Sequence, residues 1–131
     1  MSALALKRFD GLAVARPCGD IDAANAAAID EELASCLTPD ATGLIVDLSD
    51  TRYLDSAGID MLLRLAERLR QRRTELRIVV APDSQLRRLF EIVGMLDHVR
   101  VHATVSDAMA DIPRAAPDVS DGEASAPDIR G

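Results

Sequence analysis

Short apolar runs near the start of the chain predict two strands. They cover residues 4–9 and 12–18. The Asp10-Gly11 pair between them is a dipeptide that favours a tight hairpin turn, so the two strands are expected to pair antiparallel. Pro17 lacks a backbone donor, which predicts that the second strand ends, bulges or lies at a sheet edge there.

Further along, continuous apolar runs alternate with stretches of helical spacing. Strands are predicted at residues 43–48, 76–81 and 98–102. Helices are predicted at residues 23–37, 56–73, 84–93 and 106–112. This alternation predicts an α/β domain. We expect a central, mostly parallel sheet of four to five strands with an N-terminal antiparallel strand, covered by about four helices.

Local signals also predict how the helices begin, end and face the core. Asp22 is expected to cap the first helix and Gly94 to terminate the third. On the second helix the predicted buried stripe comprises Ile59, Leu62, Leu63, Ala66 and Leu69, with Met61 and Leu65 on its flanks. On the third helix the residues expected to face inward are Leu86, Leu89, Phe90 and Val93.

The length and composition of the chain predict a single domain followed by a tail. With 131 residues and a hydrophobic fraction of 48%, the chain suits one compact domain with an aliphatic core. We expect that domain over residues 1–112. From 113 to 131 the sequence becomes rich in Pro, Ala, Ser and Asp and loses its periodicity, which predicts a disordered acidic tail.

The net charge of −7 argues against a nucleic-acid partner, because binding to phosphate backbones requires a basic patch. One basic stretch has helical spacing, so we interpret it as the solvated face of a helix. Its arginines are Arg64, Arg68, Arg70, Arg72 and Arg73.

Cysteine usage and hydropathy predict a cytoplasmic location. Cys18 and Cys36 are the only cysteines and form no CxxC motif, which favours buried free thiols in a reducing compartment. The first eight residues lack the basic-then-apolar order of a signal peptide. No apolar run approaches the roughly 18 residues of a membrane span, so we expect no membrane association.

Ser56 is the most informative position for function, because it falls in the first turn of a predicted helix that follows a strand and a loop. Its hydroxyl is expected beside backbone N–H groups that have no partner within the helix. A phosphoryl group there would meet a favourable helix dipole and the nearby carboxylate of Asp55. An Asp-Ser pair is also a common helix cap, so spacing alone leaves both interpretations open.

Acidic residues follow two of the predicted strands. Asp47, Asp50 and Asp55 come after one strand, and Asp20 and Asp22 after another. Loops at the carboxyl ends of parallel strands share one edge of the sheet, where ligands and partners usually dock. This neighbourhood favours a functional role for Ser56.

Catalytic interpretations of the same residues lack the groups they need. A receiver-type aspartyl-phosphate site with magnesium at Asp47 would require a lysine late in the chain, and the only lysine is Lys7. A serine nucleophile at Ser56 has no identifiable base, since His98 and His102 belong to no recognisable triad. Glycine-rich phosphate loops are absent. We therefore expect a protein that is not an enzyme and needs no metal or cofactor.

Four segments, in this order and spacing, resemble a STAS domain and specifically the bacterial anti-sigma factor antagonists. They are Gly19-Asp20-Ile21-Asp22, the run from Val46 to Ile59 containing Asp55-Ser56-Ala57-Gly58, Leu86 to Met95, and Ser106 to Met109. The resemblance covers about residues 5–112. The sequence departs from the family at Pro17, where an apolar strand residue is usual.

The resemblance implies a STAS fold and a partner switch that controls transcription by a sigma factor. Such an antagonist binds an anti-sigma factor with serine kinase activity while the serine, here Ser56, is unphosphorylated, and releases it on phosphorylation. A phosphoserine phosphatase restores the active form. Asp22 matches the acidic position that the family places beside the phosphoserine. Other residues close to Asp22 and Ser56 are suggested as further partner-binding residues: Asp20, Asp55, Ala57, Gly58 and Met61.

Two other binding roles remain open on the sequence. The domain could be an accessory subunit of an ABC-type lipid-transport complex, in which Ser56 is a contact and not a switch. It could also be a scaffold in a large stress-sensing assembly. For the antagonist itself we expect a monomer or weak dimer.

Overall fold

Five strands form one mixed sheet in the computed structural model, which describes residues 4–113. The strands are β1 (Leu4–Phe9), β2 (Leu12–Pro17), β3 (Gly43–Asp47), β4 (Glu75–Val79) and β5 (Arg100–His102). The helices are α1 (Ala26–Ser35), α2 (Ser56–Gln71), α3 (Gln85–Ile92) and α4 (Val105–Ala110), with a 3₁₀ turn at Met95–Asp97. The spatial order is β1-β2-β3-β4-β5, with β1 antiparallel to β2 and all other pairs parallel.

The predicted α/β architecture is therefore confirmed. The predicted tail lies outside the described residues from position 114 onward. Within residues 4–113, no helix combines the length and the apolar character needed to cross a membrane.

The opening hairpin folds as the Asp10-Gly11 pair predicts. Both residues have positive φ, 46° at Asp10 and 87° at Gly11, which is the signature of the turn that matches the twist of paired strands. Pro17 is the last residue of β2 and lies opposite Leu4 in β1. The strand thus ends at the proline, one of the outcomes that its missing donor predicts.

Alternate residues of the strands face two different helical layers. The face covered by α1, α2 and α3 carries the main core, which includes Ile21, Leu33, Leu44, Val46, Leu62, Leu65, Ile78 and Phe90. The opposite face carries a smaller core beneath α4, formed by Leu12, Val14, Ile45, Val79, Ala108 and Ile112.

The buried stripe of α2 is rotated from the predicted one. Met61 and Leu65, expected on its flanks, are buried, whereas Ile59, Leu63 and Ala66 are half-buried. Apolar residues occupy a wide arc of this helix. The spacing therefore does not determine which part of the arc meets the sheet.

The first helix begins later than predicted. Residues 23–25 form a turn, and Asn25, not Asp22, occupies the N-cap position of α1. The Asp22 carboxylate instead accepts a hydrogen bond from the amide of Ala24 at 2.9 Å. Aspartate side chains often stabilise such turns by bonding the backbone two residues on, which competes with helix capping.

The end of α3 confirms one prediction and corrects another. Gly94 has a φ of 74° and terminates the helix as expected. Val93, predicted to face inward, is 48% exposed; it is the C-cap residue directly after α3, where the helical periodicity on which the prediction rests has ended. Its neighbour Ile92 is 75% exposed.

Beneath α4, a buried arginine organises a cluster of charges. Arg77 of β4 is 5% exposed, and its Nε donates to Asp111 Oδ2 at 2.6 Å. Its Nη1 donates to Glu75 at 2.8 Å. Arg100 and His102 of β5 also contact Asp111, each at 3.1 Å. The carboxylate of Asp111 therefore ties the end of α4 to β4 and β5.

Acid is expected to destabilise the domain through Asp111. The hydrogen bond from Arg77 is the main reason that the pKa of Asp111 falls from 3.8 to about 2. Desolvation opposes this shift, while Arg100, the charge of Arg77 and His102 add smaller lowering contributions. Because the folded-state pKa is depressed, the stabilisation is complete above about pH 4 and is lost as the pH falls towards 2. Unfolding by urea, measured between pH 2 and pH 5, checks this expectation.

In Asp111→Asn this part of the pH dependence should disappear. Asp83→Asn, which removes a carboxylate from the exposed turn before α3, is the matched control and should keep it. Equal pH slopes in the wild-type protein and in Asp111→Asn would contradict the assignment.

Candidate functional site

Two loops at the carboxyl edge of the sheet are joined by backbone pairing. Ile21, in the loop after β2, forms a parallel bridge with Leu54, in the loop after β3. The amide of Ile21 donates to the carbonyl of Tyr53 at 3.1 Å, and the amide of Asp55 donates to the carbonyl of Ile21 at 3.2 Å. The sequence predicts that the acids of both loops share one edge, and the structure brings the two loops into direct contact.

The side chain of Asp20 holds the second loop in place. Its Oδ1 atom accepts hydrogen bonds from the amides of Arg52 and Tyr53, both at 3.1 Å. The hydroxyl of Thr51, which is buried, donates to the carbonyl of Gly19 at 2.9 Å in the same region. Asp20 thus crosses from one loop to the backbone of the other.

The side chain of Asp55 caps α2 and at the same time contacts the first loop. Oδ1 accepts from the amides of Ala57 and Gly58, at 2.9 and 3.1 Å. Oδ2 accepts from the amide of Ala23 at 3.1 Å. Both carboxylate oxygens are therefore used inside the molecule, which makes Asp55 a structural support for the site.

Ser56 is the first residue of α2, and its side chain is exposed. Among the described residues, none hydrogen-bonds its hydroxyl. One expectation needs correction: the nearby backbone N–H groups are not free, because Asp55 already accepts from Ala57 and Gly58. The hydroxyl is thus accessible to a partner, while the helix end beside it is already capped by a negative charge.

Asp22 lies in the turn that precedes α1 and is half-buried. Asn25, which sequence reasoning did not single out, braces this turn. Its Oδ1 accepts from the amide of Asp22, and its Nδ2 donates to the carbonyl of Asp20, both at 2.9 Å. An Asn three residues after an acidic loop position is the signal that could have revealed it.

The remaining predicted site residues lie on the first two turns of α2. Ala57 is half-buried, whereas Gly58 and Met61 are buried, Met61 with 6% of its surface exposed. Met61 packs in the main core. These residues therefore lie mostly beneath the surface around Ser56 and support it by packing.

An apolar groove runs from Ser56 between α2 and α3, and the sequence analysis did not predict it. Its volume is about 340 Å³. Its apolar lining comprises Leu54, Ile59, Leu63, Leu89 and Val93. Exposed apolar surface that adjoins a polar site is typical of protein interaction surfaces. The adjacent apolar pair at positions 92 and 93, at a helix end, is the sequence signal for it.

Other candidate groups lie away from Ser56 or have local partners. His102 contacts Asp111 on the α4 face of the sheet, whereas α2 packs on the opposite face. The Asp47 carboxylate accepts from the amide of Ser49, and Asp50 pairs with Arg16 at the surface. Within residues 4–113, no three His, Cys, Asp or Glu side chains come close enough together to hold a metal ion. Cys18 and Cys36 are both free, as predicted, but only Cys36 is buried, and the expectation of a buried thiol is wrong for the exposed Cys18.

Removal of the Asp55 carboxylate is expected to destabilise the domain. Asp55→Ala should cost about 2 kcal/mol, because it removes a helix cap and a bond from a charged acceptor to the other loop. Chemical denaturation measures this loss. Asp50→Ala is the matched control, because it removes only a surface ion pair worth about 0–1 kcal/mol. Equal losses in both variants would contradict a structural role for Asp55.

Comparisons with known proteins identify relatives of this architecture. The model of the STAS domain family matches residues 3–108. The anti-sigma-F factor antagonist RsfB of Mycobacterium tuberculosis is 31% identical over 104 residues, which cover 79% of this chain and 83% of that protein.

Two solved structures have the same fold. The crystal structure of an anti-sigma factor antagonist from Mycobacterium paratuberculosis has a TM-score of 0.73 and 23% identity, covering 83% of this chain and 92% of that one. The Bacillus cell fate determinant SpoIIAA in its phosphorylated form has a TM-score of 0.58 and 21% identity, covering 82% and 97%. The STAS fold predicted from the sequence is confirmed.

Proposed function

This chain belongs to the STAS domain family, and we propose that it acts, like its relative RsfB, as an anti-sigma factor antagonist. In this role it binds an anti-sigma factor, which is thereby prevented from holding a sigma factor, and so it regulates transcription. The partner contacts the surface formed by Ser56, the two joined loops and the apolar groove between α2 and α3.

The exposed hydroxyl of Ser56 is the observation that carries this proposal. Ser56 begins α2 on a framework held by Asp20 and Asp55, and its hydroxyl has no partner among the described residues. Residues that only cap a helix use their side chains internally, as Asp55 does. Ser56 does not, so the capping interpretation applies to Asp55 and leaves Ser56 available for modification.

Phosphorylation of Ser56 is the switch in this proposal. The anti-sigma factor has serine kinase activity and transfers a phosphoryl group to the hydroxyl, after which the complex dissociates. A phosphoserine phosphatase hydrolyses the phosphoester and restores the binding form. The protein itself acts by binding and has no catalytic role, so it needs no metal or cofactor of its own. We expect it to work in the cytoplasm as a monomer or weak dimer.

A comparison of two variants as baits tests the proposal. Ser56→Ala and Ser56→Asp are used to capture partners from native lysate, and the retained proteins are identified by mass spectrometry. The expected result is an anti-sigma factor with an ATPase fold that Ser56→Ala retains and Ser56→Asp loses. Equal retention of an ABC ATPase by both baits would overturn the switch and favour an accessory role in lipid transport.

A further inference from the structure

A basic groove lies at the end of the sheet opposite Ser56. It has a volume of about 550 Å³ and lies between the C-terminal end of α2, the starts of β4 and β5, and the 3₁₀ turn. Arg70, Arg73, Arg77 and Arg100 line it, against only two acidic residues, Glu75 and Asp97. The lining thus carries a formal charge of +2, from four arginines and two acids, whereas the whole chain has a net charge of −7.

Arg73 is the cation in this groove that has no ionic partner within residues 4–113. Arg70 pairs with Glu67, and Arg77 and Arg100 pair with Asp111. The Arg73 side chain is exposed, and its backbone has a φ of 57°. Glycine adopts this conformation after a helix without steric penalty, whereas any other residue adopts it at a cost. An arginine at this position is therefore unfavourable for the helix end and leaves an unpaired charge facing the groove.

The described residues end next to this groove. The side chain of Ile112 reaches to within 3.0 Å of the place where a Cβ on Gly43 would lie, and Gly43 is paired with Glu75 at the groove rim. The carbonyl of Asp111 accepts a hydrogen bond from Arg77 at 3.3 Å. Neighbouring strands are about 4.8 Å apart, so the Ile112 side chain at Gly43 lies about one strand spacing from Glu75 on the groove rim.

The sequence that follows is complementary in charge to the groove. Positions 115–128 contain four acidic residues and no basic one: Asp118, Asp121, Glu123 and Asp128. An extended chain spans about 3.3–3.6 Å per residue, so the five residues from 114 to 118 reach about 17 Å. The first acidic side chain can therefore reach Arg73 without rearrangement of the fold.

We propose that the basic groove binds the acidic segment 115–128 of the same chain. The guanidinium of Arg73 forms charge-assisted hydrogen bonds with its carboxylates, and the apolar floor formed by Leu76, Leu96 and Val99 receives Val119. Because the segment and the groove belong to one chain, the effective concentration is about 1 mM, so even a weak contact is populated. This surface is separated from Ser56 by the whole length of α2, and the inference does not depend on the proposed function.

Paramagnetic relaxation in the full-length protein tests this contact. A nitroxide is attached at Ser120→Cys in a Cys18→Ser background, because Cys18 is exposed whereas Cys36 is buried. At low salt the amide signals of Thr74 and Val99, in the groove, should lose most of their intensity, and that of Ala57 should not. The intensities should recover in 1 M NaCl, which shortens the screening length to about 3 Å.

Two arginine variants provide the decisive comparison. Arg73→Gly removes the guanidinium and suits the positive φ, so it should fold normally and yet abolish the broadening. Arg64→Gln, which removes an exposed arginine from α2 away from the groove, should leave the broadening unchanged. Broadening that persists in Arg73→Gly would overturn the proposal. So would the absence of broadening at low salt in the spin-labelled chain that retains Arg73. So would broadening that arises only between a spin-labelled and a separate isotope-labelled copy.

Discussion

Phosphorylation of Ser56 is expected to weaken binding of the anti-sigma factor by about thirtyfold while leaving the fold of the free domain intact. A phosphate adds about −1.5 to −2 charges at neutral pH. Two unit charges 4 Å apart near a protein surface interact by about 4 kcal/mol. Half of that, uncompensated in an interface, is about 2 kcal/mol, and each 1.4 kcal/mol corresponds to a tenfold change in affinity.

The environment of Ser56 explains why the free protein should tolerate the same charge. The side chain is exposed, so water solvates the phosphate, and the dipole of α2 contributes about 0.3–1 kcal/mol in its favour. The Asp55 carboxylate, which already occupies the first N–H groups, opposes that gain. The two effects nearly cancel, so the free energy of unfolding should change by less than about 1 kcal/mol.

Calorimetric titration of the purified partner with unmodified, phosphorylated and Ser56→Asp protein measures the effect on affinity. Circular dichroism and denaturant unfolding of the same samples measure the effect on the fold. Ser35→Asp places a similar charge on an exposed serine at the far end of α1 and should bind normally. Loss of native circular dichroism in Ser56→Asp would refute a mechanism based on direct interference.

The substitution Gly58→Val is expected to destabilise the domain by about 2–3 kcal/mol and to disturb the Ser56 surface. A Cβ at this position would lie 2.9 Å from Leu54 Cδ2 and 3.3 Å from the carbonyl oxygen of Ile21. Both residues belong to the bridge between the two loops and are buried. Overpacking of a buried contact typically costs about 1–3 kcal/mol, and here a backbone atom limits relaxation.

Ala57→Val is the matched control for this substitution. It introduces the same β-branched side chain into the same helical turn, at a half-buried position, and should cost about 0.5 kcal/mol in helix propensity. Chemical denaturation of both variants gives the comparison. A loss in Gly58→Val no greater than that in Ala57→Val would show that the close approach of α2 to the bridge is unimportant.

The sequence predicted the succession of elements because the hydrophobic period changes clearly between strands and helices. It also placed Ser56 at the start of α2, because the acidic loop ends at a cap residue. The predicted buried stripe of α2 is correct at Leu62 and Leu69. It is wrong at Ile59 and Leu63, because these two satisfy the helical spacing as well as Met61 and Leu65 do. Only the position of the sheet beneath the helix distinguishes the two sets.

The support of the site could not be predicted because it depends on contacts between residues far apart in the sequence. Asp20 and Asp55 are predicted from the sequence as partner-binding residues, yet their carboxylates bind backbone amides of the opposite loop, about 32 residues away. No local pattern specifies such pairing. The apolar groove beside Ser56 likewise exists only where α2 and α3 come together in space.

The bridge between Ile21 and Leu54 has a consequence for recognition by a kinase. The surface around Ser56 forms only when two loops that are separated in the sequence by all of α1 and β3 have come together. A kinase that reads this surface therefore recognises a conformation and not a linear motif. A peptide spanning the serine, or a nascent chain that has not yet closed the sheet, should be a poor phosphate acceptor. The switch is thus confined to molecules that have already folded.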